Sequence, residues 1–331
     1  MSPTRRTVLF LAIGALVLGF WWRPRFGSAS RPPLGSIVVS DGPFPRTVQT
    51  PGLPNFKLAT PPQRILPTNA SVVDSLVDLI SADRVVALPK EAFTYSTVRH
   101  EEGPWSQIDI LNEFAAEDTL SVKPDLVITH TWQSDTTIRI LRDAGVPVLE
   151  LPVVTTWEGL LETLRILGLV LGEEVRSRAL IDDLETRRQA LADQASNLTI
   201  LPYTNWGTGG YTAGANSTWD LMIQLAGARN AASEYGLSGN VQIEFEELLE
   251  IDPDVFLLGI DPDSGRSRSA DLLRNEEALA RLQAVRSGRL IVMPAALYNA
   301  SSHRLLSAAE ALASQLEKLP QRASEASQSP H

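Results

Sequence analysis

Two apolar patterns alternate along the chain. Short, continuously apolar runs such as Leu126-Val127-Ile128 and Val255-Phe256-Leu257-Leu258 predict strands buried on both faces of a parallel sheet. Longer stretches with apolar residues at helical spacing lie between them. The most extended, residues 157–196, holds no Pro and only Gly159, Gly168 and Gly172. Leu160, Leu164, Leu167 and Leu171 predict one helix ending near Gly172, and Ala179, Leu180, Leu184 and Leu191 a longer charged helix from Glu173 to about Gln194. At about 1.5 Å per residue the second helix is long enough to join two lobes, and a single helical strut implies limited hinge motion.

The chain also repeats itself. Residues 69–82 can be laid on residues 215–228 without a gap, so that Ser71 meets Ser217 and Asp74 meets Asp220. A Ser followed by an acid three positions later, at the start of an apolar-periodic run, predicts a helix N-terminus in each copy. A second pair follows in the same order, with Pro124-Asp125 and Pro253-Asp254 each ending a helix and opening an apolar strand. Each strand is followed by another helix and strand, at 136–144 and 146–151, and at 278–285 and 289–293. The pattern predicts an α/β fold of two lobes, each with a mainly parallel sheet flanked by helices, joined by a long single helix. The N-terminal lobe spans 63–171, the connecting helix 172–196 and the C-terminal lobe 197–319; a single doubly wound domain with repeated βα units is the alternative.

The flanks read differently. Arg5 and Arg6 precede an uncharged run over residues 7–22, and Gly27, Ser28 and Ala29 follow. Residues 1–29 therefore predict an export signal or, with Trp21 and Trp22 at an interface and Arg23 and Arg25 stopping transfer, a membrane anchor. Thr4-Arg5-Arg6 resembles a twin-arginine signal without its full consensus. Either reading puts the chain outside the cytoplasm, periplasmic or at the cell surface. Residues 30–62, rich in Pro, Gly and Ser, read as a linker, and 320–331 as a disordered tail.

Composition narrows the chemistry. Over 331 residues, 29 Lys and Arg stand against 39 Asp and Glu, a formal net charge of −10, which disfavours a general nucleic-acid binder. With no Cys there is no disulfide, thiolate metal site, cysteine nucleophile or lipidated cysteine. No GxSxG elbow or HExxH helix occurs, and no catalytic residues are expected.

In open parallel sheets ligands bind beyond the carboxyl ends of the strands, so the loops there should line a cleft between the lobes. Those loops supply the ligand-binding candidates Tyr95, Arg99, Trp132, Trp206, Tyr211, Tyr298 and Arg304. Trp219, inside a capped helix, reads as core. The interval from Ser71 to Pro124 exceeds that from Ser217 to Pro253, and the surplus falls around residues 91–107 as a cleft-side insertion. The cluster from Gly207 to Gly210 is neither a Rossmann fingerprint nor a P-loop. His100, His130 and His303, with a carboxylate such as Asp261, are an alternative Zn²⁺ or Mn²⁺ set, though no HxxxH or HxH spacing fixes two ligands locally.

Taken together, residues 117–128, Ile166 to Gly172, Tyr211 to Asn216 running into Leu225 to Asn230, and residues 249–257 resemble the substrate-binding proteins of ABC importers for iron–siderophore complexes, haem and vitamin B12, the helical-backbone class. The resemblance covers about residues 64–318. It implies two α/β lobes, a shallow cleft, small closure on binding, and delivery of ligand to a membrane permease. The expected ligand is a bulky metal chelate, ferric siderophore first, a corrinoid second and haem third, with Arg99 and Arg304 as candidate cations for an anionic chelate; no resident cofactor is expected. Glu117 and Glu246 each lie seven positions before the repeated Pro, a matched pair that suits the arginines of a dimeric permease, with Glu247 replacing Glu246 if the register slips by one. The solute-binding protein itself is expected to be a monomer, meeting the membrane through the permease or an uncleaved N-terminal segment. Three features depart from the family pattern: the absence of a lipidated Cys, Ser301-Ser302-His303-Arg304 where Ser-Pro-Arg is common, and Asn230 after Gly-Ala-Arg instead of Gly-Gly-x. A free Zn- or Mn-binding protein and a membrane-anchored ligand sensor are the readings from other classes.

Overall fold

The computed structural model describes residues 37–50, 52–98, 103–192, 196–205, 207 and 209–319. It begins with β1 (Val38–Val39), β2 (Arg46–Gln49) and β3 (Phe56–Leu58), an antiparallel three-stranded sheet. Most of the expected linker is therefore folded. Ile37, Val39, Val48 and Leu58 are buried in the main core, and the Arg46 guanidinium donates to the carbonyl of Leu169 and pairs with Glu174. Alternation on β2, with Val48 in and Gln49 out, carries the strand through a segment whose Pro and Gly content suggests a tether.

The first lobe contains β4 (Ile65–Pro67), α1 (Ala70–Val77), β5 (Leu88–Pro89), α2 (Ala92–Tyr95), β6 (Ile110–Leu111), α3 (Ala116–Ser121), β7 (Leu126–His130), α4 (Asp135–Asp143) and β8 (Val148–Leu151). Strands β4, β7 and β8 form a parallel sheet in that order, a bridge joins Ile65 to Val85, and β5 pairs parallel with β6. Two helices follow, α5 (Trp157–Leu171) and α6 (Glu174–Leu191). Gly172, at φ 73°, ends α5, and the chain turns back so that Ser177 Oγ donates to Leu164 O at 2.7 Å and Trp157 Nε1 to Glu185 at 3.1 Å. The expected connecting helix is α6, and it packs back along α5 on its way to the second lobe.

The second lobe contains β9 (Thr199–Asn205), β10 (Gly210–Ala213), α7 (Thr218–Leu225), β11 (Arg229–Asn230), α8 (Ala231–Glu234), β12 (Asn240–Ile243), α9 (Phe245–Ile251), β13 (Val255–Gly259), α10 (Arg268–Asn275), α11 (Gln283–Arg286), β14 (Leu290–Met293), α12 (Ala295–Tyr298) and α13 (Arg304–Glu317). Its sheet runs β12-β10-β9-β13-β14, with β9, β13 and β14 parallel and β10 antiparallel to both neighbours. The helix expected over 278–285 is broken: a 3₁₀ turn covers Glu277–Leu279, and the Asp252 carboxylate accepts from Gln283 N at 2.7 Å to start α11 afresh.

The repeated Pro-Asp does the same work in both lobes. Asp125 accepts from the backbone N–H of Gln63 and Arg64, at 2.7 and 2.9 Å, just before β4. Asp254 accepts from Thr199 N and Oγ1, both at 3.0 Å, at the start of β9. The helix starts are less alike. Ser217 caps α7 as expected, accepting from Asp220 N, but α1 is capped by Asn69, which accepts from Val72 N, so Ser71 and Asp74 lie inside the helix. Thr68 N still donates to Ile128 O at 3.1 Å, so the sheet ends one residue before Asn69 and leaves that side chain at the cap.

Strand alternation joins the lobes. Ile65, Leu126, Ile128, Leu149 and Leu151 from the first sheet and Ile200, Val255, Leu257, Ile291 and Met293 from the second belong to one buried cluster. Their neighbours Leu66, Val127 and Val148, and Leu201, Phe256 and Leu258, face two separate outer cores. Period-2 geometry sends alternate side chains to opposite faces, so the inner face of each sheet contributes to a core the lobes share. A hinge that opened widely would expose this apolar surface.

Candidate ligand-binding site

Beyond the carboxyl ends of the parallel strands lies a cleft of about 780 Å³, bounded by both lobes. From the first lobe come Thr68 and Asn69 after β4, Tyr95 and Glu91 around α2, Asn112 to Phe114 after β6, and Trp132 and Gln133 after β7. The second supplies Thr204 and Asn205 of β9, Tyr211 of β10, Trp219 of α7, residues 259–263 after β13, and Tyr298 and Asn299. α12 packs against α2, closing one side.

Four of the seven expected ligand contacts line this cleft: Tyr95, Trp132, Tyr211 and Tyr298. Tyr211 is in a strand and Tyr298 at a helix end, not in loops. Trp132 is 63% exposed. Beneath it His130 is buried, its ring stacked under the indole, and Nδ1 accepts from the Asn69 amide at 3.1 Å, which leaves the proton of the neutral ring on Nε2. Burial lowers the His130 pKa to about 4. Gln133 binds the same group of residues, accepting from Asn69 Nδ2 at 2.9 Å and Thr129 Oγ1 at 2.6 Å and donating to Thr68 O at 3.0 Å. The aromatic platform therefore rests on a fixed polar network.

Tyr298 sits deeper. Its hydroxyl pairs with Thr204 Oγ1 at 2.8 Å, its ring packs on Trp219 with centroids 5.7 Å apart, and burial raises its phenol pKa. Gly259 is required beside it, since a Cβ there would stand 2.7 Å from the Tyr298 ring. Trp219, read from sequence as core, is half-buried and lines the cleft, and its Nε1–H is buried without a partner among the described residues. Helical spacing concealed that role, because α7 turns Leu221, Met222 and Ile223 into the core while Trp219 stays at the cleft.

Arg304 is not a cleft contact. Its Nη2 lies 2.6 Å from Asp78 Oδ2, the same oxygen that receives His303 Nε2 at 2.7 Å. The two residues before and at the start of α13 thus clasp the end of α1. Burial alone would raise Asp78, but the His303 hydrogen bond and the Arg304 charge outweigh it and hold the carboxyl below its ordinary value. One turn earlier, burial raises Asp74, opposed by hydrogen bonds from Thr97 N and Oγ1 at 2.8 Å each. His303 held by Asp78 and His130 held by Asn69 are engaged elsewhere, and among the described residues no group of His, Asp and Glu is arranged to hold a metal ion. The Zn²⁺ or Mn²⁺ reading thereby loses two of its three histidines. Arg99, His100 and Trp206 lie outside the described residues, as do residues 1–36 and 320–331. Among the described residues no helix is long and apolar enough to cross a membrane.

Glu117 and Glu246 are exposed, and each is the second residue of its helix, α3 and α9. Glu247 is drawn back by the helix start, where its side chain accepts from Glu244 N at 3.0 Å.

Known proteins agree with this architecture. The sequence profile of the family described as periplasmic binding protein matches residues 67–297. A cobalamin-binding protein of Halobacterium salinarum is 24% identical over 257 residues, which cover 76% of this chain and 68% of the relative. Among solved structures, the periplasmic heme-binding protein RhuT of Roseiflexus sp. RS-1 superposes with a TM-score of 0.69 at 22% identity, covering 78% of this chain and 99% of that one. An ABC-type Fe³⁺-hydroxamate transport system protein of Saccharomonospora viridis does so with a TM-score of 0.69 at 22% identity, covering 82% and 99%. At that identity the structural likeness establishes the two-lobed fold.

Proposed function

The chain belongs to the periplasmic binding protein family, and on that premise we propose that it captures a bulky metal chelate outside the cytoplasm and delivers it to the permease of an ABC importer. The observation that carries this reading is the cleft itself: about 780 Å³, faced by Tyr95 and Trp132 from one lobe and Tyr211, Trp219 and Tyr298 from the other. The shared core limits closure, and the breadth of the cleft favours a large solute. Affinity must come from broad aromatic faces against a large, partly exposed ligand, which suits a ferric siderophore, a corrinoid or haem. The chemistry is reversible binding, and no side chain is assigned a catalytic role.

Glu117 and Glu246, at equivalent points of two related helices, are the contacts we assign to a twofold permease, one arginine pocket per subunit. The protein acts as a monomer in this scheme, with residues 1–29 serving export or anchoring. Titration of intrinsic Trp fluorescence with ferric hydroxamates, ferric catecholates, cyanocobalamin and haemin tests the reading. Quenching by at least one chelate is expected, lost or weakened in Trp132→Ala; no response to any of the four would overturn it.

A further inference from the structure

Five carboxylates line the cleft, Asp74, Glu91, Glu113, Asp261 and Asp263, against a single cation among the described lining residues, Arg268. That cation is already engaged, with Nε 2.6 Å from Asp261 Oδ2. Asp74 is occupied by Thr97, and Arg304 is held away by Asp78. Glu91, Glu113 and Asp263 remain, exposed and without a cationic partner among the described residues. They come from both lobes: Glu91 from the start of α2, Glu113 from beyond β6 and Asp263 from beyond β13. Their fields converge, because after burial it is the charges of Asp263, Asp261 and Glu91 that raise the Tyr95 phenol. Residues 99–102, Arg-His-Glu-Glu in the sequence, lie outside the described residues. The other polar lining groups are neutral, amides such as Asn112, Asn205, Asn240 and Asn299 and hydroxyls such as Thr204 and Ser301.

We propose that this cleft selects uncharged or cationic chelates and rejects anionic ones, and that Glu91, Glu113 and Asp263 set the preference. The inference rests on the reading of the cleft as a chelate site. Among the described lining residues, an anionic ligand entering here meets like charge on three carboxylates without a cationic partner and no free guanidinium to receive it, whereas an amide-bearing or cationic rim meets donors and acceptors of matching character. Because the three acids are exposed, their effect is screened over roughly 8 Å at physiological ionic strength and is greatest at low salt.

The experiment compares five probes on the full mature protein by fluorescence or calorimetric titration at low and high salt: a cationic linear ferric trihydroxamate, a neutral cyclic ferric trihydroxamate, cyanocobalamin, haemin and an anionic ferric tris-catecholate. The neutral and cationic probes are expected to bind more tightly than the anionic pair at low salt, with added salt weakening the cationic probe and strengthening the anionic ones. The combined variant Glu91→Gln, Glu113→Gln, Asp263→Asn is expected to weaken the cationic probe and tighten the anionic pair by about tenfold each, leaving cyanocobalamin within about twofold. The salt series on the unmodified protein needs no folded variant. Tighter binding of haemin or the tris-catecholate, or an unchanged ordering in the variant, would overturn the charge selection while leaving the chelate reading intact. No binding of any probe would overturn the chelate reading itself, and the selection with it.

Discussion

The indole of Trp132 lies over the imidazole of His130, with ring centroids 6.1 Å apart and planes 15° from parallel. One ring is mostly exposed and the other buried, so the cleft presents an aromatic face whose orientation is set from below by a neutral histidine. The stack links the surface of the cleft to a titrating group.

That link predicts a pH dependence of stability. The His130 pKa is lowered from 6.5 to about 4, so the unfolded chain binds the proton between those values and the folded chain does not. The contribution is fully present above the unfolded value and is lost as pH falls from about 6.5 towards 4, by up to about 3 kcal/mol. Urea unfolding at neutral pH and near pH 4.5 should show a smaller loss for His130→Gln than for the parent protein.

Removing the exposed half of the stack should act differently. Trp132→Ala deletes little buried area, so thermal unfolding should barely move while chelate affinity falls about tenfold. An equal drop in melting temperature and affinity would show that the indole is structural.

Asp78 clasps His303 and Arg304, and Asp78→Asn leaves both without their carboxylate partner. Because Asp78 is partly exposed, the expected cost is about 1–3 kcal/mol. Its carboxyl is lowered in the folded state, so this stabilisation is present above the ordinary carboxylate pKa and is lost as pH falls through the lowered value. Chemical denaturation should therefore show the gap between parent and variant closing in strong acid.

Gly168→Ala should destabilise although it replaces Gly by a better helix former. The new Cβ would stand 2.5 Å from Ser177 Cβ, where α5 and α6 meet. Overpacking of this kind costs about 1–3 kcal/mol, more than the roughly 1 kcal/mol gained in helix propensity. Pairing it with Ser177→Gly should recover part of the loss in a denaturant titration.

The docking assignment separates binding from transport. With both Glu117 and Glu246 changed to Arg, chelate titration should be unchanged while uptake by the reconstituted importer falls, most strongly at low salt. Normal uptake by the double variant would remove these acids from the interface.

Much of the architecture is local and was therefore legible in the chain. Continuous apolar runs marked β7 and β13, helical spacing marked α5 and α6, and the duplicated Pro-Asp marked equivalent points of two lobes, because each depends on neighbours within a few positions. Tyr95 and Trp132 followed from the rule that ligands bind beyond the carboxyl ends of parallel strands, whereas Tyr211 and Tyr298 line the cleft from a strand and a helix end.

What the tertiary structure alone decided are pairings across long separations. Nothing near Arg304 announces that Asp78, on a helix of the other lobe, will claim its guanidinium and remove it from the cleft. Nothing near Val48 announces that a Pro- and Gly-rich stretch will form a sheet against α5 and α6, since the Arg46 contacts to Leu169 and Glu174 that hold it there exist only after folding. Likewise Ser71 and Asn69 are both competent caps, and the last sheet hydrogen bond at Thr68 chose between them. Periodicity specifies which face of an element is buried; which distant charge it meets there depends on how whole elements pack, and in this protein that packing decides which of the described charges line the cleft.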